Sequence, residues 1–228
     1  MARIAIITAR GGSKRIPKKN IRSFCGKPII AYSISAALES GAFDEVMVST
    51  DSEEIAAVAR ACGASVPFMR SEKTAGDFAT TADVLAEVLD TYEERGQTFD
   101  SFLCLYPTAP FVTAQRLCEA AELLDESTVA VVSVVRFSVP PQRSLVEAGG
   151  YLAFRWPENA FSRSQDLEPL NHYAGQFYLV RTEAFCAERT VFPKKTRPLI
   201  LPEMLVQDID NEEDWALAEV KWKLLHAQ

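Results

Sequence analysis

Apolar and polar positions along this chain fall into two regimes. As far as about residue 135, short unbroken apolar runs alternate with stretches whose apolar residues recur at helical spacing. The runs are Ile4 to Ile7, Val46 to Ser49, Ala64 to Met69, Ser101 to Leu105 and Val129 to Val135. They are too short for helices and, where β-branched residues dominate, predict strands buried on both faces. Between them, Ile30, Ile34, Ala37 and Leu38 mark a helix opened by Pro28 and closed by Gly41. A second helix, capped by Asp51 or Ser52 with Glu53 and Glu54 in its first turn, ends before Gly63. Others are predicted over Thr81 to about Glu93 and over Arg116 to Asp125. This alternation predicts an α/β fold with a mostly parallel, doubly wound sheet.

From Arg136 the pattern changes. Pro140-Pro141, Gly149-Gly150 and Pro157 break the chain into short segments, and the apolar stretches flanking Gly149-Gly150 predict an antiparallel hairpin. Residues 137–172 thus read as an insertion, a lid or a subunit contact, within one domain spanning 1–228. The sheet is expected to resume over Gln176 to Val180. Leu205-Val206 reads as a strand ending in Asp208-Ile209-Asp210, followed by a helix from Glu212 to His226.

Charge alters this picture at one place. Residues 1–38 hold eight cations and no acid, and taking that +8 from the whole-chain −7 leaves −15 on the rest. An acidic body with one basic loop suits a small polyanion, not a nucleic-acid duplex, which needs a broad positive face. The five cysteines are scattered without a C-x-x-C, and His172 and His226 are the only histidines, which argues against zinc and for free thiols. No run of 18 apolar residues is present, and the apolar start is too short for a secretion signal. A cytoplasmic protein with no membrane partner is expected.

The basic loop follows the first strand, at the carboxyl end where open α/β sheets bind ligands. Gly11-Gly12 lets the backbone turn sharply, and Arg10, Lys14, Arg15, Lys18 and Lys19 surround it. A cationic loop is commonly only a solvated surface; its placement here points instead to a phosphate cradle. Gly26-Lys27 is followed by Pro28, so there is no P-loop, and no G-x-G-x-x-G supports a dinucleotide enzyme. On a strand, Asp208 and Asp210 would share one face, roughly 6.5–7 Å apart. Either could simply cap the last helix. Beside a polyanion site, a pair of carboxylates suits magnesium, which takes one or two of them together with phosphate oxygens. Thr80 or Thr81 can likewise be a helix cap or a ligand contact.

These residues also carry a resemblance. Ala9-Arg10-Gly11-Gly12-Ser13-Lys14, Pro17-Lys18-Lys19-Asn20, Gly26-Lys27-Pro28, Ser49-Thr50-Asp51, Ala79-Thr80-Thr81, Tyr106-Pro107-Thr108-Ala109-Pro110 and Asp208-Ile209-Asp210 resemble motifs of the acylneuraminate cytidylyltransferase family. Ser162 to Leu167 and Ala174 to Tyr178 resemble its pseudaminic acid branch. Arg15 stands where the family usually has Gly, and Tyr106 where sialic acid synthetases usually have Gln. The resemblance implies a nucleotide-diphospho-sugar transferase-like fold, a homodimer, and transfer of CMP from CTP to a nine-carbon 2-keto sugar acid. By the same resemblance Arg10, Lys14 and Lys19 act on the triphosphate, with Ala9, Gly11, Gly12, Ser13 and Asn20 around it. Arg70, Thr80 and Thr81 contact the nucleotide, and Asp208 and Asp210 hold Mg2+. Tyr106, Arg163, Gln165, Gln176 and Tyr178 are assigned to the sugar. An enzyme for the eight-carbon acid 3-deoxy-manno-octulosonate and a non-catalytic nucleotide sensor are the alternatives.

Overall fold

The computed structural model describes residues 1–227. In chain order, β1 (Arg3–Thr8) leads into the basic loop and a short ribbon, β2 (Ser23–Phe24) and β3 (Lys27–Pro28). Then come α1 (Ile29–Ser40), β4 (Glu45–Ser49), α2 (Glu53–Ala61), the single turn α3 (Glu72–Ala75), α4 (Thr81–Glu94), β5 (Ser101–Leu105), α5 (Ala114–Leu123) and β6 (Ala130–Arg136). A hairpin of β7 (Leu145–Ala148) and β8 (Tyr151–Phe154) precedes β9 (Asn171–Arg181), α6 (Thr182–Glu188), β10 (Thr196–Leu201) and α7 (Glu212–His226).

Six strands form the main sheet in the order β10-β6-β9-β5-β1-β4. All run parallel except β9, which lies antiparallel between β5 and β6. Every residue of β5 is buried, and so are six of the seven in β6, as expected of strands covered on both faces. One face packs Ile30 and Ile34 of α1, Ile55 and Ala59 of α2, and Leu117 and Ala120 of α5. The other packs Leu85, Val88 and Leu89 of α4 and Phe185 of α6. The helix signals read from the sequence sit where the caps are. Gly41 closes α1 with φ 59°, Ser52 accepts the Ile55 N–H, and Thr80 and Asp83 form a reciprocal capping box.

Four expectations need correction. Ala64 to Met69 is not a strand: Ser65 makes one bridge to Met47, and Pro67, with no N–H, cannot extend a ladder. The helix expected from Arg116 begins at Ala114, because Thr113 is its cap. Leu205 to Asp210 is not a strand either, since Glu203–Leu205 is a 3-10 turn followed by irregular backbone. Finally, β9 reaches back to Asn171, and β10, with Pro198 inside it, pairs along β6 at the sheet edge. An edge is where a sheet tolerates proline.

Two local features bend β9 to its task. Between Val132 and Val134 the β6–β9 register shifts, and Ser133 Oγ there accepts from Phe177 N–H (3.1 Å) and donates to Phe177 O (3.0 Å). Gly175, at φ 66°, supplies a backbone turn that a side chain would strain.

Candidate active site

A cleft of about 650 Å³ opens at the carboxyl ends of β1 and β5, the position at which such sheets hold ligands. Its basic wall is the loop after β1. Asn20 pins that loop by donating Nδ2–H to Arg10 O at 2.8 Å, and the Gly11 N–H donates to Asp51 Oδ1 at 2.8 Å. A Cβ on Gly11 would come within 3.1 Å of Ser52 Cβ, so loop and helix approach closely here and a side chain would have to push them apart slightly. Arg10, Lys14, Arg15, Lys19 and Arg70 all line the cleft.

Each of these cations has a protein partner. Arg10 and Lys14 both reach Asp77, at 3.0 and 2.5 Å, and the Lys14 hydrogen bond draws the Asp77 carboxyl below its ordinary range. Arg15 Nη2 lies 2.7 Å from Asp210 Oδ1. Lys19 Nζ donates to Ile209 O at 2.7 Å and stands 3.9 Å from Asp210, while burial lowers its ammonium pKa. Arg70 is buried, donating to Ser49 O (2.6 Å) and Ser49 Oγ (3.1 Å); desolvation pulls its guanidinium down as well.

The acidic wall is the irregular segment before α7. Ile209 is fully buried and packs in one apolar cluster with Ile16 of the basic loop, Phe24, and Trp215 of α7. That cluster clamps the two walls together. With Ile209 pointing inward, Asp208 and Asp210 on either side of it both line the cleft, so they share a face although no strand ladder imposes it. Asp208 keeps solvent access, yet its carboxyl is held above the usual aspartate range, by desolvation first and by Asp210 second. A Cβ on Gly175 would stand 3.6 Å from Asp208 Cγ, so β9 passes this carboxyl closely.

Of the residues predicted for the site, Arg10, Ser13, Lys14, Lys19, Asn20, Arg70, Thr80, Thr81, Tyr106, Asp208 and Asp210 meet in this cleft. The Thr80 hydroxyl is committed to the α4 cap, 2.7 Å from Asp83 Oδ2. Burial raises the Tyr106 phenol pKa. Tyr178 packs edge-on at 6.1 Å behind Tyr106. Ala9, Gly11 and Gly12 shape the loop backbone without lining the cleft. The structure does not bring Arg163, Gln165 or Gln176 there. Gln176 is buried and donates to Leu205 O, and Arg163 pairs with Asp166 at 2.7 Å on an exposed segment. Sequence reasoning missed Asp77 and Gly175 as cleft residues, and placed Arg15 among the cradle cations without giving it a role of its own. Only Gly175, a glycine inside a strand pattern, carried a readable signal.

Comparison with known proteins agrees with the motifs. A family model described as cytidylyltransferase matches residues 4–207. The chain is 38% identical to the pseudaminic acid cytidylyltransferase of Campylobacter jejuni subsp. jejuni, over 99% of this chain and 98% of that protein. It is 37% identical to the CMP-N,N'-diacetyllegionaminic acid synthase of Legionella pneumophila subsp. pneumophila, over 95% and 94% of the two chains. Its fold is similar to that of CMP:2-keto-3-deoxy-manno-octonic acid synthetase complexed with CTP, with a TM-score of 0.69, 18% identity and full coverage of both chains. With a cradle of cations facing two carboxylates on this sheet, and a family match over almost the whole chain, the protein belongs to the cytidylyltransferase family.

Proposed function

We propose that this enzyme transfers the cytidylyl group of CTP to the C2 hydroxyl of a nine-carbon 2-keto sugar acid, with pseudaminic acid as preferred acceptor. The observation that carries the reading is the cleft itself, four cations on the loop after β1 with Arg70 also lining it, and two carboxylates opposite, held in register by Ile16 and Ile209. The acceptor oxygen attacks the α-phosphorus, the bond to the β-phosphate breaks, and pyrophosphate leaves. Such a transfer depends on positioning and charge neutralisation more than on covalent help from the protein. Arg10, Lys14 and Lys19 hold the triphosphate and offset the charge growing on pyrophosphate. Those side chains must leave Asp77 and the Ile209 carbonyl, or share them, to do so.

The residues present fit Mg2+. Among the described residues no cluster of three or more His, Cys, Asp or Glu could hold a metal alone. Asp208 and Asp210 offer oxygen only, and Mg2+ usually takes one or two carboxylates and completes its shell with phosphate and water. The raised carboxyl of Asp208 marks a charge that a cation would relieve. When bound, the ion would supply charge stabilisation at the phosphates.

Assembly follows from the same reading. The segment 137–170 carries Leu145, Val146, Tyr151, Leu152 and Phe154 exposed on its hairpin, and we propose that it packs on a second copy to form a homodimer. Arg163 and Gln165, remote from their own cleft, would then be available to a partner's. The test is pyrophosphate release from CTP and magnesium with a panel of acids. Pseudaminic acid should exceed N-acetylneuraminic acid in kcat/KM, because Tyr106 offers a ring where a hydrogen-bonding amide would favour the more hydroxylated acid. A site shaped for a methyl group rejects an added hydroxyl by on the order of 10²-fold at most. Equal or reversed preference would overturn the acceptor assignment, and no release with any acid would overturn the activity.

A further inference from the structure

The two carboxylates of the acidic wall are not equivalent. Asp210 has Arg15 at 2.7 Å and Lys19 at 3.9 Å, whereas Asp208, among the described residues, has no cation within 4.0 Å. The two cations also differ from each other. Lys19 is fixed, its ammonium held by the Ile209 carbonyl and its side chain 20% exposed. Arg15 is 67% exposed along its side chain, while the next residue, Ile16, is fully buried in the cluster that clamps the walls. Its backbone is therefore anchored and its guanidinium can swing.

From this asymmetry we propose that Arg15 is a further nucleotide-binding residue, one that exchanges between Asp210 and a phosphate of the nucleotide and so couples metal binding to nucleotide binding. The inference rests on the reading of Asp208 and Asp210 as a magnesium site. A divalent cation held by Asp208 and Asp210 would compete with Arg15 for the Asp210 carboxylate, because two positive groups cannot share it without repulsion. Arg15 lines the same cleft as Lys14 and Lys19, so the displaced guanidinium remains within it. There it faces the phosphates, which a planar fork of N–H donors binds in bidentate fashion. The exchange runs in both directions: phosphate draws Arg15 away and opens Asp210 to metal, and metal frees Arg15 for phosphate. Linkage requires the two effects to be equal.

The experiment compares wild type with Arg15→Gln, Arg15→Lys and Asp210→Asn by titrating Mn2+ without nucleotide and following free Mn2+ by electron paramagnetic resonance. Losing an exposed ion pair should tighten Mn2+ binding about two- to fivefold in Arg15→Gln, with Arg15→Lys nearer to wild type. Calorimetry of CTP binding with and without magnesium should show the gain on adding metal shrinking by a similar factor in Arg15→Gln. If Arg15→Gln matches wild type in both measurements while Asp210→Asn loses Mn2+, the exchange is refuted and the metal site survives. If Asp210→Asn binds Mn2+ as wild type does, the metal site itself is wrong and the exchange falls with it.

Discussion

The body of the molecule and the arm formed by residues 137–170 are built on opposite terms. In the body β1, β4, β5 and β6 are buried on both faces, and even the site is backed by a core of its own, in which Ile16, Phe24, Ile209 and Trp215 meet. In the arm all eight residues of β7 and β8 are exposed, Leu145, Leu152 and Tyr151 among them. Gly149 and Gly150, at φ 61° and 81°, make the tight turn that twists such a hairpin correctly. A two-stranded hairpin with no packed face is at best marginal alone. The body thus owns the rigidity that phosphoryl transfer needs, and the arm owns exposed apolar surface.

The strongest way to separate them is to strike the chemistry and leave the arm alone. Asp210→Asn should cut turnover by several kcal/mol of transition-state stabilisation, on the order of 10²–10³-fold, with the circular dichroism spectrum and the oligomeric mass unchanged. A variant that released pyrophosphate at the parental rate with magnesium limiting would remove Asp210 from the site.

The reverse experiment strikes the arm. If the proposed dimer forms through the arm, Leu152→Asp with Val146→Asp should leave a monomer by light scattering, with CTP affinity preserved. The KM for the sugar acid should rise by about tenfold or less, the scale of one or two lost polar contacts. Wild type that is monomeric at micromolar concentration would end the dimer proposal.

The smallest effect sharpens the contrast from the side of stability. Asp208 has a raised carboxyl in the fold, so the stability of its protonated form is present below the ordinary aspartate value and lost as pH rises through the folded value. At neutral pH the ionised group therefore costs stability that asparagine would not. Asp208→Asn should raise Tm modestly at pH 7 without metal, with the gain fading as pH falls through the raised folded value and gone below about 3.9. An unchanged or lower Tm at pH 7 would mean that the carboxylate is not strained by its surroundings.

How far the sequence could be read follows the same division. Buried parallel strands leave unbroken apolar runs, so β1, β4, β5 and β6 were legible, and so was a basic loop without acids. Edge strands leave weaker marks: β10 was hidden by Pro198, and Ala64 to Met69 looked like a strand but bridges only once. Pairings across the cleft were not legible at all. Arg10 with Asp77 and Arg15 with Asp210 join residues 67 and 195 positions apart, and nothing local announces them. Gln176 was assigned to the sugar through the resemblance of its stretch to the pseudaminic acid branch, yet it is buried and donates to the Leu205 carbonyl, a partner 29 positions away that nothing local announces.

The reversed strand β9 has one more consequence. Because β9 runs against β6, the arm leaves and re-enters the sheet at a single rung, where Arg136 lies opposite Asn171. Its two roots are fixed side by side whatever lies between them, and they stand at the ligand edge of the sheet. Lengthening a connection whose ends already meet is cheap, about 0.6 kcal/mol for each doubling. In evolutionary terms the arm is a graft on a permanent stock. It can be lengthened, shortened or exchanged while the rungs of the sheet beside it keep their register.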